Sequence, residues 1–423
     1  MSHTPPTPAL RPVHHTGVIG GGTMGAGIAV ALLQAGLRVT LVERDDTALQ
    51  AGVQRVHKVF DGMVAKGRLS ADEARTTLAR LQPSTHMADL ATVDLAIEAV
   101  FEDMAVKLAV FAELDRHCQP GAILATNTSY LDVNEIAGAI TRPSDVIGLH
   151  FFSPAHVMKL LEVVTPQAVA PDVVATALAL AQRLGKVAVC AGVCDGFIGN
   201  RILAIYRTAA DHMVEDGASP YEIDAMAREF GYPMGPYEVS DLAGGDIGWA
   251  TRKRRAATRD PRARYVRIAD RLCEQGWFGQ KTARGWYRYA PGSRQGTPCP
   301  DVMAIIEAER GKVGITPRRF SVEDMRWRYL CAMVNESLRV VDEGIAQRPA
   351  DVDLVMCHGY GFPKDLGGPM AWADAQGLDT VLAHIQRFHE EDRERDPLFW
   401  RPAPLLERLV AEGRSLASLH TAA

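Results

Sequence analysis

Two residues on consecutive apolar segments have the right types for acid–base chemistry. His150 ends a segment typical of a buried strand, and Glu162 lies inside the apolar segment 160–164. A lone carboxylate is costly to bury, so Glu162 needs a partner. If the chain reverses near His156, His150 and Glu162 lie opposite each other, and the imidazole could act as a general base whose tautomer the carboxylate fixes. The structural alternative is a histidine that closes a strand and a glutamate on a solvated face.

Two further polar residues could hold a substrate oxygen. Ser129 follows the predicted strand 122–125, at the edge where open α/β sheets bind their ligands. Asn200 lies in the first turns of the helix predicted after Gly196. Taken alone, each also has a structural interpretation. Ser129 could cap a helix that begins at Leu131, and Asn200 could form a cap or an interdomain hydrogen bond.

A glycine-rich turn predicts a dinucleotide site, because it lies between a short strand and a helix. Gly20 permits the tight turn, Gly22 lets the backbone approach a pyrophosphate, and Gly25 lets helix and strand pack closely. Thr23 and Met24 lie between Gly22 and Gly25, ahead of the helix predicted over 26–35, and are also expected to contact the cofactor. The unpaired N–H groups of this turn and the helix dipole favour bound phosphate.

An acidic residue at the end of the next strand favours one dinucleotide over another. Glu43 can accept hydrogen bonds from the ribose hydroxyls of NAD and would repel the 2′-phosphate of NADP. The sequence therefore predicts NAD as the cofactor. Arg44 leaves NADP open as the alternative cofactor, since its guanidinium could bind the 2′-phosphate or could simply be solvated.

Composition limits the class of protein. The 423 residues are 47% hydrophobic and 23% charged, with a net charge of −5, which gives no reason to expect nucleic acid or an anionic membrane as a partner. None of the seven cysteines has metal-site spacing, so no metal is predicted. The odd cysteine count, the lack of a signal peptide and the lack of a terminal Ser-Lys-Leu together predict a cytoplasmic protein.

The order of elements predicts an α/β Rossmann-type NAD-binding domain, followed by an all-α C-terminal region made of two tandem homologous helical domains. Strands and helices alternate early in the chain, with one long helical stretch near 47–81. Only helical patterns follow residue 195, and Gly231-Tyr232-Pro233 recurs there as Gly361-Phe362-Pro363. The expected boundaries are a disordered arm over 1–15, the NAD-binding domain over 16–194, helical domains over 195–290 and 322–423, and a linker over 291–321.

Longer motifs resemble the L-3-hydroxyacyl-CoA dehydrogenase family. The resemblance extends from about Gly17 to about Phe388, and it is closest to the dehydrogenase half of the fatty-acid multifunctional enzymes. It rests on HFFSPAHVMKLLEV at 150–163, NTS at 127–129, GFIGNR at 196–201, GYPMGP at 231–236 and FGQKT at 278–282.

The resemblance implies an enzyme that oxidises (S)-3-hydroxyacyl-CoA to 3-ketoacyl-CoA with NAD, in fatty-acid β-oxidation or related metabolism. It implies these roles: His150 as base, Glu162 as its partner, Ser129 and Asn200 as holders of the substrate oxygen, and Glu102, Lys107 and Lys281 as cofactor contacts. By its helical position alone, Lys107 would be solvent-exposed.

Two rival functions remain at this point: a related NAD-dependent dehydrogenase of hydroxy acids or sugar acids, and a non-catalytic NAD-binding protein. No hydratase domain precedes the dinucleotide fold, so no hydratase activity is expected.

Trp327 occupies the place of Asn200 in the second helical copy, which predicts a packing role for that copy. We therefore expect an acyl-CoA substrate and a monomer with an internal pseudo-dimer of helical domains, with a homodimer as the alternative.

Overall fold

The computed structural model describes residues 8–421, and the chain divides into two compact units. The first extends to Asn200 and also includes Gly344–Gln347, whereas the second comprises Arg201–Glu343 and the chain from Arg348 onward. This division agrees with the predicted change from alternating strands and helices to helices near residue 195.

The predicted disordered arm, 1–15, lies partly outside the described residues. Within them, the Arg11 guanidinium binds the carboxylates of Asp145 at 2.7 Å and Asp172 at 2.8 Å. The first strand already begins at His15. These ion pairs hold the later part of the arm against the first unit, where the sequence predicted disorder.

An eight-stranded sheet forms the first unit, with the strand order β3-β2-β1-β4-β5-β6-β7-β8. All neighbouring strands are parallel except β6 and β7, which pair antiparallel. The strands are β1 (His15–Ile19), β2 (Arg38–Val42), β3 (Leu81–Ser84), β4 (Leu95–Glu98), β5 (Ile123–Thr126), β6 (Val146–Phe151), β7 (Leu160–Val164) and β8 (Val187–Ala191). The helices are α1 (Thr23–Gln34), α2 (Asp46–Ala65), α3 (Ala71–Leu78), α4 (Met104–His117), α5 (Val133–Gly138) and α6 (Pro171–Arg183).

The core of this unit explains why the sheet forms. The central strands are almost wholly apolar and buried, as expected for parallel strands covered by helices. The predicted helical stretch over 47–81 was only partly right, because the segment divides into α2, α3 and the edge strand β3. The strands β1, β4 and β5 end at one edge of the sheet: the glycine turn follows β1, Glu98 is the last residue of β4, and the loop after Thr126 follows β5.

Helices dominate the second unit, and a short hairpin interrupts them. They are α7 (Gly199–Asp216, whose first two residues belong to the first unit), α8 (Pro220–Phe230), α9 (Pro236–Ala243), α10 (Gly245–Arg254), α11 (Ile268–Glu274), α12 (Pro300–Lys312), α13 (Val322–Asp342), α14 (Pro349–Gly359), α15 (Pro369–Gln376), α16 (Leu378–Asp392) and α17 (Pro404–Ala411). The hairpin pairs β9 (Tyr287–Tyr289) with β10 (Gly296–Pro298).

The predicted linker over 291–321 contains β10 and α12, so it is more ordered than the sequence suggested. Arg310 on α12 is buried and donates hydrogen bonds to the carbonyl oxygens of Val214, at 2.5 Å, and Ala218, at 2.9 Å. These carbonyls lie at the end of α7, where a helix leaves its acceptors unpaired. The segment therefore packs on the first copy and caps its long helix.

The two helical copies repeat the same helix cap. Asp224 on α8 accepts hydrogen bonds from the backbone of Tyr237, at 2.9 Å, and of Glu238 in α9. Asp353 on α14 likewise accepts from Met370, at 2.7 Å, and from Ala371 in α15. A Cβ atom on Gly235 or Gly368 would collide with the respective carboxylate, so each copy needs glycine there.

The two copies also pack against each other through equivalent residues. A Cβ atom on Gly231 would lie 2.9 Å from Pro363, and one on Gly361 would lie 3.2 Å from Pro233. Tyr232 and Phe362, the central residues of the repeated motif, meet edge-on with ring centroids 5.8 Å apart. Such reciprocal contacts are typical of a two-fold interface.

Candidate active site

The predicted histidine–glutamate pair is present. Antiparallel pairing of β6 and β7 places His150 directly opposite Glu162, and the imidazole Nδ1 lies 2.7 Å from a carboxylate oxygen. Both side chains are buried. Since the carboxylate can only accept, Nδ1 carries the proton and donates it, which leaves a lone pair on Nε2.

Glu162 uses its second oxygen to hold the start of α7. That oxygen accepts hydrogen bonds from the backbone N–H groups of Ile198, at 3.1 Å, and Gly199, at 3.0 Å. A helix N-terminus stabilises a negative charge, so the site satisfies this buried carboxylate from two sides. Asn200 follows Gly199 directly, and the same contacts therefore fix its backbone relative to His150.

Two aromatic rings flank the imidazole. The ring centroid of His150 lies 4.5 Å from that of Phe152 and 5.7 Å from that of Phe197. Phe197 has a φ angle of +49°, which is uncommon for a residue other than glycine, and it follows Gly196, whose φ is +86°. This left-handed turn directs the chain into α7 and brings the Phe197 ring against the histidine.

Ser129 lies in the loop after β5 and does not cap a helix, because α5 begins at Val133 and has Asp132 as its cap. The backbone N–H of Ser129 donates to Glu102 at 2.8 Å. Glu102 was predicted from the resemblance as a cofactor contact. In the structure its carboxylate holds the loop that contains Ser129.

Lys107 is buried, contrary to the solvent-exposed position expected from its place on a helix. Its ammonium donates to the buried carboxylate of Glu98 at 2.7 Å and lies 3.3 Å from that of Glu102. Neither Glu98 nor Thr128 was predicted from the sequence as part of this cluster; the Thr128 hydroxyl donates to Glu102 at 2.6 Å. An acidic residue that ends an apolar strand was the available signal for Glu98.

The glycine turn has the geometry predicted from its sequence. Gly20 has a φ of +97°, and a Cβ atom on Gly25 would lie 1.7 Å from the Gly20 carbonyl oxygen. A Cβ atom on Gly22 would meet nothing within 4 Å, and no side chain caps α1. Thr23 and Met24 begin this helix. The first turn of α1 can therefore offer its N–H groups to a pyrophosphate in the open space beside Gly22.

Glu43 lies against the same turn. One carboxylate oxygen accepts a hydrogen bond from the N–H of Gly21 at 2.7 Å. The neighbouring Arg44 is exposed and pairs with Asp45 at 3.1 Å. The ribose-binding position therefore presents a carboxylate, and the local residues fit NAD.

Lys281 belongs to the second unit, where its ammonium pairs with Asp246. Within residues 8–421, no helix combines the length and apolar composition needed to span a membrane. The described residues also contain no group of three or more His, Cys, Asp or Glu side chains suited to a metal ion.

Family models agree with this architecture. The NAD-binding domain of 3-hydroxyacyl-CoA dehydrogenases matches residues 15–194. The C-terminal domain of these enzymes matches twice, at 196–289 and 326–418. The chain belongs to the 3-hydroxyacyl-CoA dehydrogenase family. Membership makes NAD its cofactor, and the double match confirms the predicted pair of helical domains.

Curated relatives share the whole of this architecture. The chain is 43% identical to the peroxisomal bifunctional enzyme of Cavia porcellus over 419 residues, which cover 96% of this chain and 57% of the relative. It is 34% identical to a glyoxysomal fatty acid β-oxidation multifunctional protein of Brassica napus. The chain thus spans little more than half the length of these relatives. Their names contradict the predicted cytoplasmic location, which was wrong: they point to peroxisomes and glyoxysomes.

Solved structures show the same fold. A 3-hydroxybutyryl-CoA dehydrogenase from Escherichia coli superposes with a TM-score of 0.82 at 29% identity, covering 95% of this chain and 99% of the other. The dehydrogenase part of multifunctional enzyme 1 from C. elegans superposes with a TM-score of 0.69 at 27% identity, covering 96% and 93%. Both similarities extend through the second helical copy.

Proposed function

We propose that this chain is an NAD-dependent (S)-3-hydroxyacyl-CoA dehydrogenase of fatty-acid β-oxidation, which interconverts 3-hydroxyacyl-CoA and 3-ketoacyl-CoA. The observation that supports it most is the buried His150–Glu162 pair, in the unit that also contains the NAD-binding glycine turn. Family membership supports the acyl-CoA substrate.

His150 acts as the general base in this proposal. Its Nε2 takes the proton of the substrate 3-hydroxyl, and in the reverse direction it returns that proton to the 3-keto oxygen. A bound NAD would supply the hydride acceptor for the carbon that carries this hydroxyl. Ser129 and Asn200 hold the substrate oxygen by hydrogen bonds, so the reacting carbon keeps one orientation.

Glu162 keeps the imidazole ready for this step. Its carboxylate fixes the proton on Nδ1 and stabilises the imidazolium that forms when Nε2 is protonated. Two backbone N–H groups already satisfy its second oxygen, which keeps the side chain from rotating away from His150. Phe152 and Phe197 shield the ring from water.

Reduction of acetoacetyl-CoA by NADH, followed by the loss of nicotinamide absorbance, tests the proposal. Turnover supports it, and longer 3-ketoacyl-CoA substrates then define the chain-length preference. No turnover with either short or long substrates would contradict it. Activity on a free hydroxy acid or sugar acid, without CoA, would favour the related dehydrogenase.

Preference for NADH over NADPH tests the role of Glu43. We expect kcat/KM to be higher with NADH by about 10²-fold, since a buried like-charge contact with the 2′-phosphate costs several kcal/mol. Glu43→Ala should reduce this ratio, whereas Arg44→Ala, the matched control, should leave it nearly unchanged. Equal values in the wild type would mean that a nearby cation outweighs the carboxylate.

We also propose that the chain is a monomer in which the second helical copy takes the place of a twin subunit. The reciprocal contacts of Gly231 with Pro363 and of Gly361 with Pro233 support this arrangement. Arg201, next to Asn200, adds a polar link, because it binds Glu336 at 2.5 Å and Glu343 at 2.6 Å in the second copy.

Light scattering coupled to size exclusion tests the assembly. A stable dimer of the full chain at micromolar concentration would refute the proposal. A chain that ends at Arg319 keeps α12 but loses the second copy and exposes the apolar face that it covers, so we expect this shortened chain to dimerise or aggregate. If it remains monomeric and soluble, the second copy does not replace a subunit.

A further inference from the structure

The loop that contains Ser129 is held by one carboxylate oxygen. This oxygen of Glu102 accepts hydrogen bonds from the Thr128 hydroxyl at 2.6 Å, the Ser129 N–H at 2.8 Å and the Tyr130 N–H at 3.1 Å. Hydrogen bonds to an ionised acceptor are the strong ones. Three of them on consecutive residues leave the backbone at Ser129 little freedom to rotate.

A buried ion pair in turn holds Glu102. Its other carboxylate oxygen lies 3.3 Å from the ammonium of Lys107, which donates to Glu98 at 2.7 Å. Lys107 and Glu98 are almost completely buried, while the Glu102 side chain is 37% exposed. The fixed ammonium therefore holds one oxygen of a partly exposed carboxylate whose other oxygen binds the loop.

Glu98 also connects the two strands that end at this edge. Its second oxygen accepts the hydroxyl proton of Thr126, at the end of β5, at a distance of 2.7 Å. Its first oxygen also accepts from the Val100 N–H at 2.7 Å. The chain of contacts from Glu98 through Lys107 and Glu102 thus begins in the sheet and ends at the Ser129 loop.

We propose that Glu102 is a positioning residue for the substrate: it fixes the Ser129 hydroxyl through the loop backbone, and the Glu98–Lys107 pair orients it. This role rests on the proposed function, and it differs from the cofactor contact that the resemblance implies. A cofactor contact acts on NADH affinity. A positioning residue acts on the substrate step and only as long as Ser129 is present.

A double-mutant cycle separates the two roles. We expect Glu102→Ala to lower kcat/KM for acetoacetyl-CoA by about 10²-fold, the scale of a misplaced reacting group, while the Kd for NADH changes less than about threefold. In a Ser129→Ala background the same substitution should cost less than about threefold, because the group that it positions is gone. Glu102→Gln keeps a carbonyl acceptor for the loop but loses the charge that attracts Lys107, so its activity should lie between those of Glu102→Ala and the wild type.

Substitution of Thr128 tests the positioning role independently, because the Thr128 hydroxyl donates to Glu102. Thr128→Val keeps the shape of the buried side chain but removes that donor, together with the oxygen that accepts from the Leu131 N–H at 3.0 Å, and it should lower kcat/KM by about tenfold, with NADH affinity unchanged. Thr128→Ser, the matched control, keeps the hydroxyl and should retain near wild-type activity.

Several outcomes overturn the positioning role alone, provided that the wild type turns over acetoacetyl-CoA. These are a Glu102→Ala effect that appears mainly in NADH affinity, an effect that persists in full without Ser129, or a Thr128→Val enzyme with normal kcat/KM. If the wild type shows no turnover, the proposed function itself fails and the positioning role fails with it.

Discussion

The two helical copies share their helix caps but differ at the start of their long helices. Asp224 and Asp353 accept the same pair of backbone hydrogen bonds in each copy. Asn200 follows the residue that binds Glu162, whereas Trp327, its counterpart, stacks on His384 with ring centroids 3.9 Å apart. Both copies need caps to fold, but only the first begins beside an acid–base pair.

The largest expected effect comes from comparing substitutions of two histidines: His150, whose partner Glu162 binds the start of α7, and His384, which stacks on Trp327 of α13. We expect His150→Gln to lower kcat by roughly 10²–10⁴-fold, the usual contribution of a general base. NADH binding should change little, and Glu162→Gln should also be damaging because it removes the charge that stabilises the imidazolium. The matched control is His384→Gln, which should stay within about twofold of the wild type.

Steady-state kinetics with acetoacetyl-CoA and NADH titration provide the readouts. Near-normal turnover of His150→Gln would remove His150 from the mechanism. A large loss of turnover for His384→Gln would mean that the second copy takes part in more than packing.

The link between the copies gives the next largest effect. Arg201→Met removes the main partner of the buried Glu336 carboxylate and leaves only the longer contact with Arg339. We therefore expect this substitution to lower the free energy of unfolding by about 3 kcal/mol. Glu343→Gln should cost less than about 1 kcal/mol, because that carboxylate is half exposed. Urea unfolding measures both, and equal effects of the two substitutions would contradict the importance of burial at this link.

The shared caps predict a pH dependence that the copies have in common. Burial raises the pKa of Asp224 and of Asp353 from 3.8 to about 7. The folded chain therefore keeps protons that the unfolded chain releases, and this contribution is complete below about pH 4 and is lost as the pH rises through about 7. Between the pKa of the unfolded chain and that of the folded chain, each group changes the free energy of unfolding by about 1.4 kcal/mol per pH unit.

Comparison of wild type with Asp224→Asn and Asp353→Asn isolates this contribution, since the remaining carboxylates cancel in the difference. Each substitution should flatten the dependence of the urea midpoint on pH between about 4.5 and 7.5. The double substitution should add the two effects, because the sites are separate. Parallel pH curves for the wild type and both variants would show that the carboxylates remain charged when folded.

The smallest effect is expected at the position that distinguishes the copies. Trp327→Asn restores the residue type found at position 200, yet it should recover no activity in an Asn200→Ala background, because His150 and Glu162 lie in the first unit with Asn200, whereas residue 327 belongs to the second. Trp327→Phe should leave kcat within about twofold. Any recovery of turnover by Trp327→Asn would indicate a second functional site.

Local patterns predicted the parts of the site that depend on local geometry. A chain reversal centred near His156 was enough to predict that His150 lies opposite Glu162, and glycine spacing was enough to place the dinucleotide turn. The burial of Lys107 could not be predicted in this way, since its partner Glu98 lies on a strand and the contact depends on how α4 packs against the sheet.

Elements whose formation depends on distant partners were missed for the same reason. The strand β3 has the sequence LQPS, which has no strand pattern of its own, and it forms by parallel pairing with β2. The helix α12 lies in a stretch that resembled a linker, and its buried Arg310 bonds to carbonyls at the end of α7. In both cases the stabilising contact lies far away in sequence.

The short segment Gly344–Gln347 has a consequence for how the protein is made. Although it belongs to the C-terminal half of the chain, Ala346 forms an antiparallel bridge with Ala191, and the N–H of Gly192 donates to Ile345 at 2.8 Å. These contacts give the last residue of β8 a partner at the edge of the sheet. At typical synthesis rates, roughly ten to thirty seconds separate the emergence of the two segments from the ribosome. During that interval the end of β8 lacks this partner, so slower translation leaves the backbone at Ala191 and Gly192 unpaired with it for longer.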